Sequence, residues 1–326
     1  MPFSDVCGHS RQIAMLQKTI AGGRVAHAYL FSGLSGIGKK AVALAFAQTI
    51  NCEAVPEPAD ACGHCPACRK IAAQNHPDLH VLSTERQFLR IDAVRDIHKQ
   101  MTFKPLEASR RVVIIDDADK MNEQAANALL KTLEEPTVSN VLILITARPD
   151  WLPPTIVSRC RHLRFSPLPA ETIERFLIDR RDVDPAQATL LANLSQGSMA
   201  AAMDLQDADY LAYRSDLARL LAQASTESPQ SLLSMAALLG REKNDARQGL
   251  DILKSFFRDA LVLGETANPG LVINSDHAGL IADLCKRAKA ENLLANLAGV
   301  ERAAALLEMS VNKSLTLETM AFKLRL

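Results

Sequence analysis

The chain has 326 residues, enough for two or three domains, and its 48% hydrophobic and 23% charged side chains exclude disorder as the main state. Its 37 basic and 37 acidic residues cancel, which excludes nucleic-acid binding by a uniformly basic surface and leaves only a local patch for that job. Aromatic residues at 4%, with Trp151 the single tryptophan, work against base-stacking platforms.

The opening MPFSDVCGHSRQ lacks the basic-then-apolar order of a secretion signal, and no run approaches the roughly 18 apolar residues of a membrane span, so the chain is expected to be cytoplasmic. The first strand-like run, HAYLF at 27–31, leads into Gly33-Leu34-Ser35-Gly36-Ile37-Gly38-Lys39-Lys40 and then the helix-forming AVALAFAQTI. A strand, a glycine-rich turn and a helix in that order form a phosphate-binding loop: Gly33, Gly36 and Gly38 let backbone N–H groups turn inward, and Lys39 adds a point charge at the helix N-terminus. Lys40 stands where a nucleotide hydrolase places Ser or Thr to hold magnesium. A second cation there repels the metal, so ATP binding through the backbone and Lys39 stays open while hydrolysis with ATP/Mg2+ is disfavoured.

Just beyond that helix come Cys52, Cys62, Cys65 and Cys68, with Gly63 and Pro66 making the turns. Two successive C-x2-C steps bring thiolates within reach of one tetrahedral ion, and four sulfurs close its shell, so a structural Zn2+ site is expected in a module at about 52–68. Redox cysteines or an iron–sulfur cluster are the competing readings, and His64 could at most replace a ligand. Cys7, Cys160 and Cys285 read as isolated buried thiols.

Three further apolar runs follow: DLHVL at 78–82, VVIID at 112–116 and VLILI at 141–145. They are continuous rather than alternating, as in strands buried on both faces of a parallel sheet. The run at 112–116 ends in Asp116-Asp117-Ala118-Asp119, which sets Asp116 at the carboxyl edge of the sheet, facing the phosphate loop, where it would hold magnesium through water, with Asp117 beside it. Asp119 reads as a cap for the helix beginning near Asn122. Ser158-Arg159-Cys160 follows the last run, and Arg159 is open to two readings, an ordinary surface cation or a finger reaching a neighbouring subunit's γ-phosphate.

Phe165-Ser166-Pro167-Leu168-Pro169 closes this pattern, and the remainder is helical in period. Residues 170 to about 209 form a small three-helix unit whose last helix opens after Gly197-Ser198. A polar break at 224–229 precedes Leu- and Ala-rich helices to the end, interrupted near 266–270. The expected architecture is an α/β P-loop domain at 1–167, its parallel sheet flanked by helices, a small helical lid at 168–210, and an all-α domain at 211–326.

Together HAYLFSGLSGIGKK, the cysteine set, VVIIDDADKMNEQAANALLKTLEEP and TIVSRC resemble the clamp-loader branch of the AAA+ ATPases, over about residues 3–210. That resemblance implies an AAA+ module followed by a collar domain that holds a five-subunit ring. It also implies gamma/tau and delta subunits as partners, a sliding clamp, and primer-template DNA whose phosphates the first domain would track. In it Arg159 is the finger in trans, the four cysteines hold zinc, and Thr146 sits at the sensor-1 position. Three departures set this chain apart from the ATP-hydrolysing members: Lys40 for Thr, Asp117 for the catalytic Glu, and Ala200 where they carry the sensor-2 Arg. The expectation is a stator with little ATPase activity of its own, an accessory of a DNA polymerase in DNA replication. The alternative is a gamma/tau-type subunit or a self-sufficient AAA+ ATPase, and magnesium-dependent turnover by the isolated chain discriminates.

Overall fold

A computed structural model of the chain describes residues 1–54, 59–83, 91–137, 139–224, 229–241, 243–309 and 311–326. The polar break expected at 224–229 falls largely on 225–228, outside the described residues. The chain divides into two compact units, one of Met1–Arg181 with Gln196–Ala201 and the other of Asp182–Ser195 with Ala202–Leu326.

The first unit holds five parallel strands: β1 (Ala28–Ser32), β2 (Leu79–Leu82), β3 (Arg111–Ile115), β4 (Asn140–Thr146) and β5 (Arg161–Arg164), in the order β2-β3-β4-β1-β5. Its helices are α1 (Ser10–Ala21), α2 (Lys39–Ile50), α3 (Pro66–Ala72), α4 (Ile91–Thr102), α5 (Glu123–Glu134), α6 (Pro154–Val157) and α7 (Ala170–Arg181). Alternate strand residues go to opposite faces. Tyr29, Phe31, Val112, Ile114, Ile143 and Ile145 pack with Leu16, Val42 and Phe46 on one side, while Leu30, Val113, Ile115, Leu142 and Leu144 meet Val94, Ile97, Leu129 and Ile156 on the other. Burial on both faces is why these strands are written as unbroken apolar runs.

Four strands lie where the apolar runs place them. The fifth, Arg-His-Leu-Arg, has only Leu163 buried and pairs along one edge with β1, so no hydrophobic run announces it. Asn122, not Asp119, caps α5 by accepting the Ala125 N–H at 2.8 Å, which corrects the reading of Asp119 as the cap.

The second unit is helical, with α8 (Pro185–Leu194), α10 (Ala208–Gln223), α11 (Pro229–Gly240), α12 (Lys243–Thr266), α13 (Ala278–Arg287), α14 (Ala290–Glu308) and α15 (Lys313–Phe322). The short α9 (Met199–Asp204) begins in the first unit. Phe256, Phe257, Leu253, Met235 and Leu317 centre the core of the second unit. No described helix is long and apolar enough to cross a membrane.

Candidate functional site

The parallel sheet brings the ends of β1, β3 and β4 together at its carboxyl edge, with Ser32 and Thr146 in register across β1 and β4. The phosphate loop leaves β1 there. Gly33, Gly36 and Gly38 have φ of 151°, 75° and 101°. Two of them also have no room for a side chain: a Cβ on Gly33 would meet the Phe165 carbonyl at 2.4 Å, and one on Gly36 would meet Ser198 Oγ at 2.3 Å and Ala200 Cβ at 2.8 Å.

Lys39 opens α2 and is nearly buried, its ammonium donating to the Gly33 and Leu34 carbonyls at 2.6 Å each. Burial pulls its pKa below the ordinary lysine value, opposed by the carboxylates of Asp116, Asp117 and Asp119. Lys40 reaches the other way, its Nζ 3.3 Å from Asp116 Oδ2. The ammonium thus occupies the neighbourhood a magnesium ion would need between the loop and the acidic strand end. The backbone cradle fits phosphate oxygens, but the cation beside Asp116 does not fit a divalent metal.

The other two carboxylates are also engaged. Asp117, in the left-handed region at φ 54°, pairs with Lys120 at 2.7 Å. Asp119 accepts from the buried Thr146 hydroxyl at 2.6 Å, and that hydroxyl oxygen accepts the Arg148 N–H. Ala200 donates its N–H to the Gly36 carbonyl at 3.0 Å and so closes against the loop as backbone and methyl alone.

His9 escaped the sequence reading. It sits at φ 58°, its Nε2 is 2.7 Å from the Ile37 carbonyl, and its ring packs edge-on against Phe165. Desolvation holds its pKa below the ordinary histidine value, the Ile37 bond opposing and Lys39 assisting. The neighbouring Gly8, at φ 73°, was the only sequence signal that this residue lies in a tight turn.

Arg159 stands apart from this group. It follows α6, with Nη1 donating to the Thr155 carbonyl at 3.0 Å and Nη2 to Glu134 Oε1 at 3.0 Å. Its side chain is 39% exposed and that of Glu134 51%.

The four cysteines converge. Their sulfurs all lie within 4.8 Å of one another, with Cys62 and Cys68 Sγ 3.9 Å apart. Thiolates at about 2.3 Å around a tetrahedral ion stand about 3.8 Å apart, so this donor set could hold a metal. Backbone N–H groups of Cys62, Cys65 and Cys68 point at the sulfurs of Cys52, Cys62 and Cys65 at 3.3 to 3.4 Å. Donors from His64 and Cys65 lower the Cys62 thiol to about 6, while burial raises those of Cys68 and Cys52. His64 turns its Nδ1 to the Cys62 carbonyl and lies outside the sulfur set. Around the module, buried Gln48 donates to the Cys68 carbonyl and Asp60 accepts the N–H groups of Phe3, Ser4 and Ala61. Cys7, Cys160 and Cys285 are half-buried rather than buried, a correction to their reading as core thiols.

The family described as DNA polymerase III, delta subunit, matches residues 8–169, and the one described as DNA polymerase III, delta subunit, C terminal, matches residues 208–325. DNA polymerase III subunit delta' of Bacillus subtilis is 36% identical over 256 residues, which cover 77% of this chain and 76% of that protein. Subunit delta' of Escherichia coli is 34% identical over 282 residues, 85% of this chain and 82% of that one. Subunit tau of Escherichia coli is 31% identical over 258 residues, 78% of this chain but 38% of the relative.

Proposed function

The chain belongs to the DNA polymerase III delta-prime family, clamp-loader subunits of the AAA+ type, and from that premise we propose that it is the non-hydrolysing stator of its ring. One observation carries the choice of stator over motor: Lys40 is ion-paired with Asp116 at 3.3 Å, where a hydrolysing subunit needs magnesium. At an effective dielectric of about 20, each unit of positive charge brought to about 4 Å from that ammonium costs about 4 kcal/mol. A divalent ion meets that repulsion twice over, and because the Lys40 side chain is 38% exposed, solvent screening and movement of that side chain leave only a fraction of it as net cost.

The same reading gives the remaining residues their tasks. Arg159 supplies the guanidinium that stabilises charge on the γ-phosphate of an adjoining gamma/tau-type subunit. Cys52, Cys62, Cys65 and Cys68 hold Zn2+ as a structural clamp on the module after α2, with no open position for catalysis. Gly33, Gly36, Gly38 and Lys39 keep the shape of a phosphate loop, with Lys40, Asp116, Asp117 and Thr146 tied to internal partners. Residues 1–167, 168–210 and 211–326 act as P-loop domain, lid and collar, the last holding the ring together with gamma/tau and delta subunits. The assembled ring then opens a sliding clamp and places it on primer-template DNA in the cytoplasm.

Reconstitution with gamma/tau-type and delta subunits, the clamp and primed DNA tests this. The expected result is a stable ring with clamp-dependent ATP turnover, in which Arg159→Ala leaves assembly intact and slows the adjoining site by about 10³- to 10⁵-fold. Magnesium-dependent turnover by the isolated chain, or wild-type rates from the Arg159→Ala ring, would refute it.

A further inference from the structure

We propose that Glu134 is a positioning residue for Arg159, fixing the plane of the guanidinium before the neighbouring subunit's phosphate arrives. This inference rests on the finger reading of Arg159 and adds a second residue to it.

Glu134 is the last residue of α5 and Arg159 lies just past α6, so two elements 25 residues apart in sequence meet at this pair. Neither end of the contact is explained by stability. The pair is exposed on both sides, and exposed ion pairs contribute little to folding. Glu134 is moreover badly placed for its own helix: a carboxylate at a helix C-terminus adds negative charge to the negative end of the helix dipole. A guanidinium bonded to that carboxylate relieves the repulsion.

The geometry suits orientation rather than burial. A guanidinium has five N–H donors in a rigid plane. The Thr155 carbonyl takes one from Nη1 and Glu134 Oε1 takes one from Nη2, both at 3.0 Å. Two acceptors on different elements define the plane, and the donors they leave are carried by a side chain that is 39% exposed. A long, flexible arginine is thereby ordered in advance, so less rotamer freedom is lost when a phosphate binds. The contact is also weak enough to adjust as the phosphate engages, since both partners remain in water.

The test is the reconstituted ring carrying Glu134→Ala, Glu134→Gln, Arg159→Ala or the Glu134→Ala/Arg159→Ala pair, read as kcat and KM for ATP at the adjoining site. Glu134→Ala is expected to lower kcat about tenfold with KM unchanged, the signature of a misoriented group. Glu134→Gln keeps an oxygen that accepts from Nη2 and should recover most of the rate. In the Arg159→Ala background Glu134→Ala should have no further effect. Glu135→Ala, one residue on and exposed, is the control and should match wild type. Equal kcat for Glu134→Ala and wild type, a faster Glu134→Ala ring, or an effect that persists without Arg159 would each overturn the proposal. If Arg159→Ala itself runs at the wild-type rate, the finger reading fails first, and the two failures are thereby told apart.

Discussion

Lys40 Nζ and Asp116 Oδ2 stand 3.3 Å apart across the mouth of the phosphate loop, joining the start of α2 to the end of β3. The contact is half-exposed, so the pair itself is worth little. Its weight lies in placing a positive charge beside Asp116, the carboxylate at the end of β3.

Removing that charge is the first prediction. Lys40→Thr restores a hydroxyl at the metal-ligand position and frees Asp116, so the isolated variant should bind magnesium·ATP at least about tenfold more tightly than wild type, about 1.4 kcal/mol. Turnover should stay undetectable, because Asp117 is shorter than a Glu and already pairs with Lys120, and Ala200 contributes no cation. Titration with a fluorescent ATP analogue reads the affinity and phosphate release reads the turnover. Unchanged affinity would mean that something other than Lys40 sets the metal preference.

Metal content gives the second. The cysteine module has a small apolar core of its own, in which Ala61, Cys65 and Cys68 are buried and Cys52, Cys62 and Ala67 partly so. Such a core is small for a loop segment, and zinc held by the four thiolates would add the stability it lacks. The purified protein should carry about one zinc per chain, and chelation should lower stability by about 3 kcal/mol or more, as expected when a tight ligand is removed. Elemental analysis and thermal unfolding with and without chelator measure both. A fully folded chain free of metal, melting where the loaded one does, would remove zinc from the account.

Much of this molecule is legible in its sequence. The glycine spacing around Lys39, the four cysteines and the four apolar runs each carry a local signature, and each element formed where its signature stood. What could not be read were pairings between segments far apart in the chain. Lys40 was read as repelling a metal, but its bond to Asp116 depends on the register of β1 and β3 either side of β4. Glu134 in LLKTLEEP gives no sign that it faces Arg159, nor Asp119 that it holds Thr146 at the end of β4, since each contact joins segments that only the tertiary fold brings together. The edge strand β5 was missed for the opposite reason: its Arg-His-Leu-Arg buries one side chain and so lacks periodicity.

The helical unit supplies the third prediction. Arg214 is 1% exposed, and its guanidinium is bonded to Asp276 and to Asn274 Oδ1 at 2.6 Å, while lying 5.4 Å from the Phe256 ring centroid. Asn274 in turn donates its backbone and side-chain N–H groups to the buried Asp259. Arg214→Ala leaves Asn274 and Asp276 without their cation and opens a cavity, so a loss of about 3–5 kcal/mol is expected by chemical denaturation. If residues 211–326 form the ring's collar, the same variant should fail to assemble at temperatures where Arg159→Ala still does.

Acid stability isolates the fourth. Asp78 is 1% exposed, accepts the N–H groups of Leu106, Glu107 and Ala108 at 2.8 to 3.0 Å, and meets Arg111 Nη2 at 3.0 Å. Arg111 closes the other side by donating to the carbonyls of Gln100, Phe103 and Lys104. Burial alone would raise the Asp78 pKa, but these donors outweigh it and bring it to about 2. A carboxylate held below its unfolded value of about 3.9 stabilises the fold fully at higher pH, and that contribution of about 2.6 kcal/mol is lost as pH falls from about 5 to about 1, most of it between about 4 and about 2. Urea unfolding of wild type across that interval should show the decline. Asp78→Asn, which leaves Arg111 buried without its anion, should be about 3–5 kcal/mol less stable near neutrality, with a shallower slope below pH 4. The pair also fixes the loop that presents Phe103 and Leu106, 70% and 76% exposed. Amide hydrogen exchange in Asp78→Asn should therefore quicken at 103–108 before it quickens in β3, and uniform exchange across both would show that the ion pair braces the sheet rather than the loop.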